Sequence, residues 1–215
     1  MGGMQTGPAS DNPPPIHREE AMLTQLAVAA CGGEEQAFAD LYEALSPALY
    51  TWADYRLAPR GGSGRADPWD LVQETWCRAW RRIETLDPQQ VPIRAWLFRI
   101  AKNIAMEHLR RARTVRSEPA SPSTRQFALA NLPDSVTAVS QRMMRQEELA
   151  SFRTVLEALK EDDRRLALHC GLEGLPHAEV AERLDLSVAA VGKRWQRLRV
   201  RLLEQGLPET LVTPA

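Results

Sequence analysis

The chain has 215 residues, of which 26% are charged and 44% hydrophobic, and a formal net charge of −1. This composition excludes a chain that is disordered throughout and a chain embedded in a membrane, and no run approaches the ~20 apolar residues of a membrane-spanning helix. We expect no secretory signal, because the N-terminus is rich in Gly, Pro and Ser. Cys31, Cys77 and Cys170 are far apart, so we expect no disulfide framework and a cytoplasmic location.

The near-zero net charge hides two basic segments. Residues 94–116 carry +6 and residues 187–201 carry +5, whereas residues 1–93, 117–186 and 202–215 carry −6, −4 and −2. The basic residues are 24 Arg and 3 Lys, a bias that suits contact with phosphates and guanine edges. One basic segment can be merely a solvated helix face. Two of them, at the ends of separate helical segments, favour a polyanion held at two points.

The first 66 residues predict a tail, two helices and a loop. Residues 1–17 contain four prolines, which predict a disordered tail. Apolar residues recur at helical spacing from about Glu19 to Leu57, and Gly32 and Gly33 interrupt them. We therefore predict two amphipathic helices, followed by a Gly-rich loop at residues 60–64.

A third helix begins at Asp67, a good N-cap, with Pro68 at the first helical position, and is predicted to run to about Ile83. Its predicted buried seam consists of Trp69, Val72, Trp76, Ala79, Trp80 and Ile83. The opposite face is predicted to carry Asp70, Gln73, Glu74 and Arg81.

A fourth helix is predicted from about Ile93 to Arg113, with two stripes at spacings of three and four residues. The predicted buried stripe consists of Ile93, Leu97, Ile100, Ala101, Ile104 and Leu109. The predicted exposed, basic stripe consists of Arg99, Lys102, Met106, Arg110 and Arg113.

Residues 114–139 are rich in Pro, Ser, Thr and Ala and predict a flexible linker. Helical patterns resume at 140–159, 163–170 and 177–184, and Ser187 is a good N-cap for a last helix that extends to about Leu203. No convincing β-pattern is present. The predicted fold is all-α, with two small helical domains joined by the linker.

Residues 176–199 have the pattern of a helix-turn-helix. Val180, Ala181 and Leu184 point inward from the first helix. The second helix has a buried face of Val191, Trp195, Leu198 and Leu202 and an exposed face of Lys193, Arg194, Arg197 and Arg201. A recognition helix places its first turns in the major groove and uses the flanking Arg on phosphates and base edges. A helical hairpin with a solvated face is the alternative, and we expect Trp195 to pack in the core rather than stack on a base.

Three segments together resemble region 2 of bacterial sigma factors, and most closely the extracytoplasmic-function (ECF) group of the sigma-70 family. They are Asp70-Leu71-Val72-Gln73-Glu74-Thr75-Trp76, Arg94-Ala95-Trp96-Leu97-Phe98-Arg99-Ile100-Ala101-Lys102-Asn103 and His108-Leu109-Arg110-Arg111. Leu172-Glu173-Gly174-Leu175 and the helix-turn-helix after it resemble region 4 of the same group. The resemblance covers roughly residues 20–205. It implies a region 2-like domain at 18–113, a linker at 114–139, a region 4-like domain at 140–205 and tails at 1–17 and 206–215.

The resemblance also implies residue roles. The resemblance assigns binding to the coiled coil of the largest subunit of core RNA polymerase to four residues, Asp70, Leu71, Gln73 and Glu74. Recognition and melting of the minus-10 element would fall to Trp96, Arg99, Lys102, Asn103, Arg110, Arg111 and Arg113, with a flipped base captured by the loop at residues 87–92. Reading of the minus-35 element would fall to Ser187, Ala190, Lys193, Arg194 and Arg197.

The expected partners are core RNA polymerase, promoter DNA and an anti-sigma factor, with no enzyme activity, cofactor or metal. Ala190-Val191-Gly192-Lys193 and Asp185 depart from common family patterns, which leaves the DNA sequence preference open. A stand-alone helix-turn-helix regulator is the alternative, although it has no reason to carry the segment at residues 70–76. A metal or redox sensor or a hydrolase would rest on His169, Cys170 and His177, which lack the paired spacing of zinc ligands.

Overall fold

The computed structural model describes residues 15–57, 67–114, 136 and 154–207, with the side chains of these ranges except 15–19 and 111–114. Every regular element in these ranges is helical, which confirms the predicted all-α class. No helix in the described part of the chain is long and apolar enough to cross a membrane. The predicted disordered tail at residues 1–17 lies outside the described ranges up to residue 14, and the first helix already begins at Pro15.

The first domain consists of four helices. They are α1 (Pro15–Cys31), α2 (Glu35–Leu57), α3 (Pro68–Trp80) and α4 (Ile93–Thr114), with a 3₁₀ turn at Ile83–Thr85 between α3 and α4. The predicted break between the first two helices is confirmed at Gly33, whose φ of 91° suits glycine. Asp67 caps α3 as predicted, since its Oδ1 accepts a 2.9 Å hydrogen bond from the Trp69 N–H. The 3₁₀ turn explains why α3 ends at Trp80 instead of continuing to Ile83.

The core of the first domain forms around Trp76, which is fully buried on α3. Phe38 of α2 meets its ring edge-on at 5.4 Å between centroids, and Tyr42 lies 5.1 Å away in a tilted arrangement. Aromatic pairs in these geometries stabilise a core beyond the area they bury. The predicted seam of α3 is confirmed as buried, except that Trp80 is half-buried.

The second domain contains α5 (Glu161–Leu166), a π-helical turn (Ala167–Leu172), α6 (His177–Leu184) and α7 (Val188–Glu204), and residues 154–158 are also helical. The π turn replaces the second half of the straight helix predicted at 163–170. Within the predicted linker, Val136 is described and fully buried. The linker is therefore packed at that residue, and the rest of residues 115–135 and 137–139 lies outside the described ranges.

The helix-turn-helix consists of α6 and α7. Asp185 ends α6 in the left-handed region with a φ of 55°, a conformation that Asp tolerates better than most non-Gly residues. Ser187 caps α7, since its Oγ accepts a 3.2 Å hydrogen bond from the Ala190 N–H. The predicted buried face of α7 is confirmed, and Trp195 is 2% exposed. This indole is a core residue, as predicted.

One residue of the predicted buried stripe of α4 is not buried. Leu109 is 44% exposed, whereas Ala105, one turn earlier, is buried. The predicted stripe assumed that α4 is covered along its whole length. In the structure its buried positions end at Ala105 among the residues whose side chains are described, so the later turn presents Leu109 to solvent.

Replacing Gly192 by Ala is expected to stabilise the second domain. A Cβ at this position would lie 3.5 Å from His177 Nδ1, an ordinary van der Waals contact, and Ala is favoured over Gly inside a helix by about 1 kcal/mol. We expect Gly192→Ala to raise the free energy of unfolding in urea titrations by up to about that amount. The control is Gly33→Ala, which forces a side chain into a φ of 91° and should lower it by about 1 kcal/mol. A destabilised Gly192→Ala would show that α6 and α7 need the glycine for close approach.

Candidate functional site

The partly exposed surface of α3 is a narrow stripe at Asp70, Glu74 and Arg78, together with the half-buried Trp80. The polar face predicted for this helix is wrong at Gln73, and Leu71, which the resemblance also assigns to polymerase binding, is buried too. Gln73 is 1% exposed and donates a 3.2 Å hydrogen bond from Nε2 to the Tyr42 hydroxyl, and Leu71 is fully buried. Because α2 and α4 both pack on α3, the partly exposed positions before Trp80 are spaced by four residues.

Glu74 belongs to a charged network that joins α3 to α4. Its carboxylate accepts a 2.6 Å hydrogen bond from Arg78 and lies 3.0 Å from His108 Nε2. Arg78 also donates to both oxygens of Glu107, at 3.1 and 2.8 Å. The Glu74–Arg78 pair can be predicted from the sequence, because the two residues have the i, i+4 spacing of neighbours on one helix face. The contacts with Glu107 and His108 were missed, since they depend on how α4 crosses α3.

The pKa of the Glu74 carboxyl is lowered from its ordinary value. The hydrogen bond to His108 favours the charged form most strongly, burial opposes it, and the neighbouring Arg78 adds to the lowering. Glu74 is therefore a carboxylate over the whole neutral range, and its charge is shared between its own helix and α4.

The exposed stripe of α4 is confirmed at three of its five predicted residues, because Arg99, Met106 and Arg110 are exposed. Asn103, which was not predicted as part of the stripe, is also exposed. Met106 is 66% exposed, which is unusual for a large apolar side chain. Trp96, one turn before Arg99, is half-buried against the core, and the side chains of Arg111 and Arg113 lie outside the described residues.

Lys102 departs from the predicted basic stripe. Its Nζ lies 2.6 Å from Oε2 of Glu173, a residue of the second domain, and the lysine side chain is only 23% exposed. Glu173 is 1% exposed, and its other oxygen accepts a 2.8 Å hydrogen bond from the indole Nε1 of Trp52 on α2. His169 Nδ1 lies 3.1 Å from the oxygen that faces Lys102.

The surroundings of Glu173 lower the pKa of its carboxyl to about 2. Burial alone would raise it, but the hydrogen bond to His169 and the charge and hydrogen bond of Lys102 together outweigh burial. The group is therefore ionised at every physiological pH. Nothing in the sequence pattern placed this carboxylate against α2 and α4, because the contacts join residues more than 70 positions apart.

On α7 the predicted basic residues fall into two groups. Lys193 and Arg197 are exposed. Arg194 faces the acidic residues of α5, with its NH2 3.5 Å from Asp162 and 3.7 Å from Asp163, and Arg201 lies 2.8 Å from Asp163. Ser187 is exposed but engaged as the helix cap, and Ala190 is half-buried. On α7, Lys193 and Arg197 are thus uncovered, whereas acidic side chains partly neutralise Arg194 and, in the last turn, Arg201.

The loop at residues 87–92 is a compact turn between the 3₁₀ turn and α4. The Asp87 carbonyl accepts hydrogen bonds from the backbone N–H groups of Gln90 and Val91, and the Asp87 side chain accepts one from Gln89 at 3.0 Å. Asp87, Gln89 and Gln90 are exposed. The turn is therefore ordered by Asp87 while its other polar side chains face outward.

Among the described residues no group of three or more His, Cys, Asp or Glu could hold a metal ion. His169 is engaged by Glu173. Burial raises the pKa of the Cys170 thiol to about 12, which keeps it protonated and poorly nucleophilic. His169 and Cys170, two of the three residues considered for a sensor or hydrolase, are thus occupied and inert, respectively.

The second domain is a helix-turn-helix with a basic second helix, and the first is a helical domain with one acidic and one basic stripe. Together they define a two-domain helical protein of the transcription-factor class. Family models agree in detail. Residues 41–115 match Sigma-70 region 2, and residues 149–202 match Sigma-70 region 4.

Individual relatives point to the same family. The sigma factor CnrH of Cupriavidus metallidurans is 32% identical to this chain, and the match covers 82% of this chain and 90% of CnrH. The ECF sigma factor SigL of Mycobacterium tuberculosis is 30% identical, and the match covers 83% of this chain and 96% of SigL. A solved structure of CnrH with the cytosolic domain of CnrY matches with a TM-score of 0.42 at 27% identity, over 86% of this chain and 96% of that one. The chain belongs to the ECF group of the sigma-70 family. It is an RNA polymerase sigma factor that acts in transcription initiation, as the sequence predicted.

The network around Glu74 predicts a measurable pH dependence. Because the folded-state pKa of Glu74 is lowered, the carboxylate contributes stability above the unfolded pKa of roughly 4.3 and loses it as pH falls through the folded pKa. We expect NMR titration to place the pKa of the Glu74 carboxyl below the ordinary value of a glutamate. His108→Gln should move the Glu74 pKa upward, because it removes the largest cause of the lowering. An ordinary pKa for Glu74 in the unaltered chain would contradict the network.

Proposed function

We propose that this sigma factor directs core RNA polymerase to promoters by contacting two DNA elements, one with each domain, and that it helps to melt the first. The observation that carries the proposal is the exposed, basic stripe on each domain, Arg99 to Arg110 on α4 and Lys193 to Arg197 on α7. Both stripes lie on helices whose opposite faces form the core. The chain works as a cytoplasmic subunit of polymerase and not as an enzyme in its own right.

The second domain reads the minus-35 element. The N-terminal turns of a recognition helix enter the major groove, where Arg and Lys reach guanine edges and phosphates. On α7 this assigns contacts to Lys193, Arg194 and Arg197, with the small Ala190 allowing close approach. Ser187 holds the helix start through its cap. Arg194 is freed for DNA by exchanging Asp162 and Asp163 for phosphate.

The first domain reads and opens the minus-10 element. Arg99, Lys102, Asn103, Arg110, Arg111 and Arg113 hold the phosphates of the displaced strand. An unpaired base needs an aromatic or apolar surface as well as cations. Trp96 is half-buried at the start of the stripe, and the turn at residues 87–92 presents polar side chains beside it. A flipped base is captured at this end of α4.

Polymerase binds at the α3 stripe. Asp70 and Glu74 present carboxylates that suit a basic coiled coil of the largest polymerase subunit. Leu71 and Gln73 are both buried and support this surface by fixing the position of the exposed stripe. An anti-sigma factor is a further expected partner. The relative CnrH has been solved with a second protein, the cytosolic domain of CnrY.

The function is tested by in vitro transcription with core polymerase over a promoter library. We expect the chain to confer initiation at a set of promoters that share two spaced elements. Core polymerase alone is the control. Initiation that stays at the level of core polymerase alone, together with tight sequence-specific binding of the free chain to duplex DNA, would favour a stand-alone regulator instead.

The proposed docking surface predicts that loss of charge at Asp70 and Glu74 weakens polymerase binding without unfolding the chain. Asp70→Asn with Glu74→Gln should weaken binding to core polymerase by roughly tenfold, since like-sized neutral groups remove the charge complementarity. Glu35→Gln, at an exposed position of α2, is the matched control and should leave binding unchanged. Gln73→Ala should also lower the free energy of unfolding, because Gln73 is buried. Unchanged core binding by the double variant, measured by native mass spectrometry, would refute the docking assignment.

The recognition helix predicts loss of minus-35 dependence. Arg194→Ala with Arg197→Ala should reduce transcription from minus-35-dependent promoters by about tenfold or more, because each base or phosphate contact accounts for about 1–3 kcal/mol. Binding to core polymerase should survive. Arg165→Ala, an exposed arginine of α5 outside the helix-turn-helix, is the control. Normal transcription by the double variant would overturn the assignment of α7.

A further inference from the structure

The two domains meet at the turn that follows the π-helical segment of the second domain. Glu173 and Gly174 of this turn lie against three residues of the first domain, namely Trp52 on α2 and Arg94 and Lys102 on α4. Trp52 in turn packs edge-on against Phe98, with ring centroids 5.8 Å apart. The junction is thus continuous with the core of the first domain.

Glu173 is the charged centre of this junction. Both carboxylate oxygens are engaged, one by the Trp52 indole N–H and the other by Lys102 and His169. Arg183 of α6 adds a more distant cation at 3.8 Å. Burial of a carboxylate is costly unless it is paired and hydrogen-bonded. Two of its closest partners, Trp52 and Lys102, come from the first domain, so the pairing depends on closure of the domains.

Gly174 makes the close approach possible. Its φ is +60°, and a Cβ placed there would lie 2.7 Å from Cδ of Arg94, which is itself 5% exposed. The backbone of the turn therefore rests directly on the buried stem of an α4 arginine. This steric contact is independent of the charge contact at Glu173, and both hold the same two surfaces together.

We propose that Glu173 and Gly174 form an intramolecular latch that holds the region 4 domain against the region 2 domain in the free chain, and that Glu173 competes with DNA for Lys102. The second half rests on the proposed function, since it takes Lys102 as a contact of the melted strand. While Lys102 pairs with the buried carboxylate at 2.6 Å, its side chain is only 23% exposed and its charge is neutralised, which weakens its contact with a DNA phosphate. The carboxylate also places a negative charge where a phosphate would approach.

The latch is reversible on physical grounds. A buried ion pair gains little net free energy over its separated, hydrated partners, so polymerase or DNA needs only modest differential affinity to open it. Opening exposes Glu173 to water and returns Lys102 to the stripe that contains Arg99 and Asn103. The closed form is then a resting state from which the chain can reopen.

Opening is measured by energy transfer between dyes on cysteines introduced as Glu35→Cys and Gln196→Cys, which are exposed sites on α2 and α7. A Cys31→Ser background leaves two buried native thiols. Glu173→Gln keeps the size of the side chain and removes its charge, and should raise the open-to-closed ratio roughly tenfold. The matched control Glu182→Gln removes an exposed carboxylate of the same helix, α6, and should leave the ratio unchanged.

Gly174→Ala tests the latch by a steric route. It should raise the open fraction because its Cβ meets Arg94. Gly206→Ala is the matched control, because it imposes a similar left-handed conformation with φ +83° and no neighbour within 4 Å. Circular dichroism establishes that each variant retains its helices. Unchanged energy transfer in both folded variants, Glu173→Gln and Gly174→Ala, would overturn the latch.

Competition for Lys102 is tested with a labelled single-stranded oligonucleotide and the free chain. Glu173→Gln should bind it several-fold more tightly than the unaltered chain, and this gain should vanish in a Lys102→Met background. A chain that opens without binding more tightly would overturn the competition and the assignment of Lys102 to DNA, while the latch itself would stand. A gain that persists without Lys102 would overturn the competition alone. Failure to support transcription affects neither measurement, so the latch and the proposed function are judged separately.

Discussion

Burial of α3 between α2 and α4 is the constraint on which the first domain depends. The Trp76 indole is enclosed by Phe38 and Tyr42, and this packing leaves α3 only a stripe one residue wide at the surface. Even the polar residues Gln73 and Thr75 are buried, so α3 lies inside the bundle on most of its sides. The charged surface that α3 offers a partner is therefore limited to Asp70, Glu74 and Arg78, and the aromatic core behind them fixes the position of this helix.

Ion pairs within the chain also limit the charge that it presents at its surface. Two cations proposed for DNA already have an acidic partner within the chain: Arg194 faces Asp162 and Asp163, and Lys102 is paired with Glu173. These carboxylates belong to the acidic segment 117–186, one of the three acidic segments that offset the two basic ones. DNA carries a far denser array of negative charge than one or two carboxylates. Exchange of an internal carboxylate for phosphate is thus favourable only where several cations engage DNA together.

Local features were predictable from the sequence because their causes are local. Asp67 before Pro68 specifies a helix start, Ser187 does the same for α7, and the position of Trp195 in an apolar seam predicts its burial. Features set by helix crossings were not. Gln73 reads as a surface residue by spacing, yet the Tyr42 hydroxyl on α2 satisfies its amide in the core. Glu173 reads as part of a turn, and only the docking of two domains brings Trp52 and Lys102 to it.

These internal pairings bear on why such a chain works with polymerase rather than alone. If each domain contacts DNA through a few cations that are partly neutralised within the chain, neither domain alone gains much free energy from binding. Two weak sites joined in one assembly bind far more tightly when geometry lets both engage at once, because the second event becomes intramolecular. A closed chain cannot offer that geometry, since the Glu173 contact ties the turn before α6 to α4. If polymerase holds the first domain through α3, as proposed, and binds the open arrangement in which both stripes reach DNA, docking and promoter recognition are coupled through the Glu173 carboxylate.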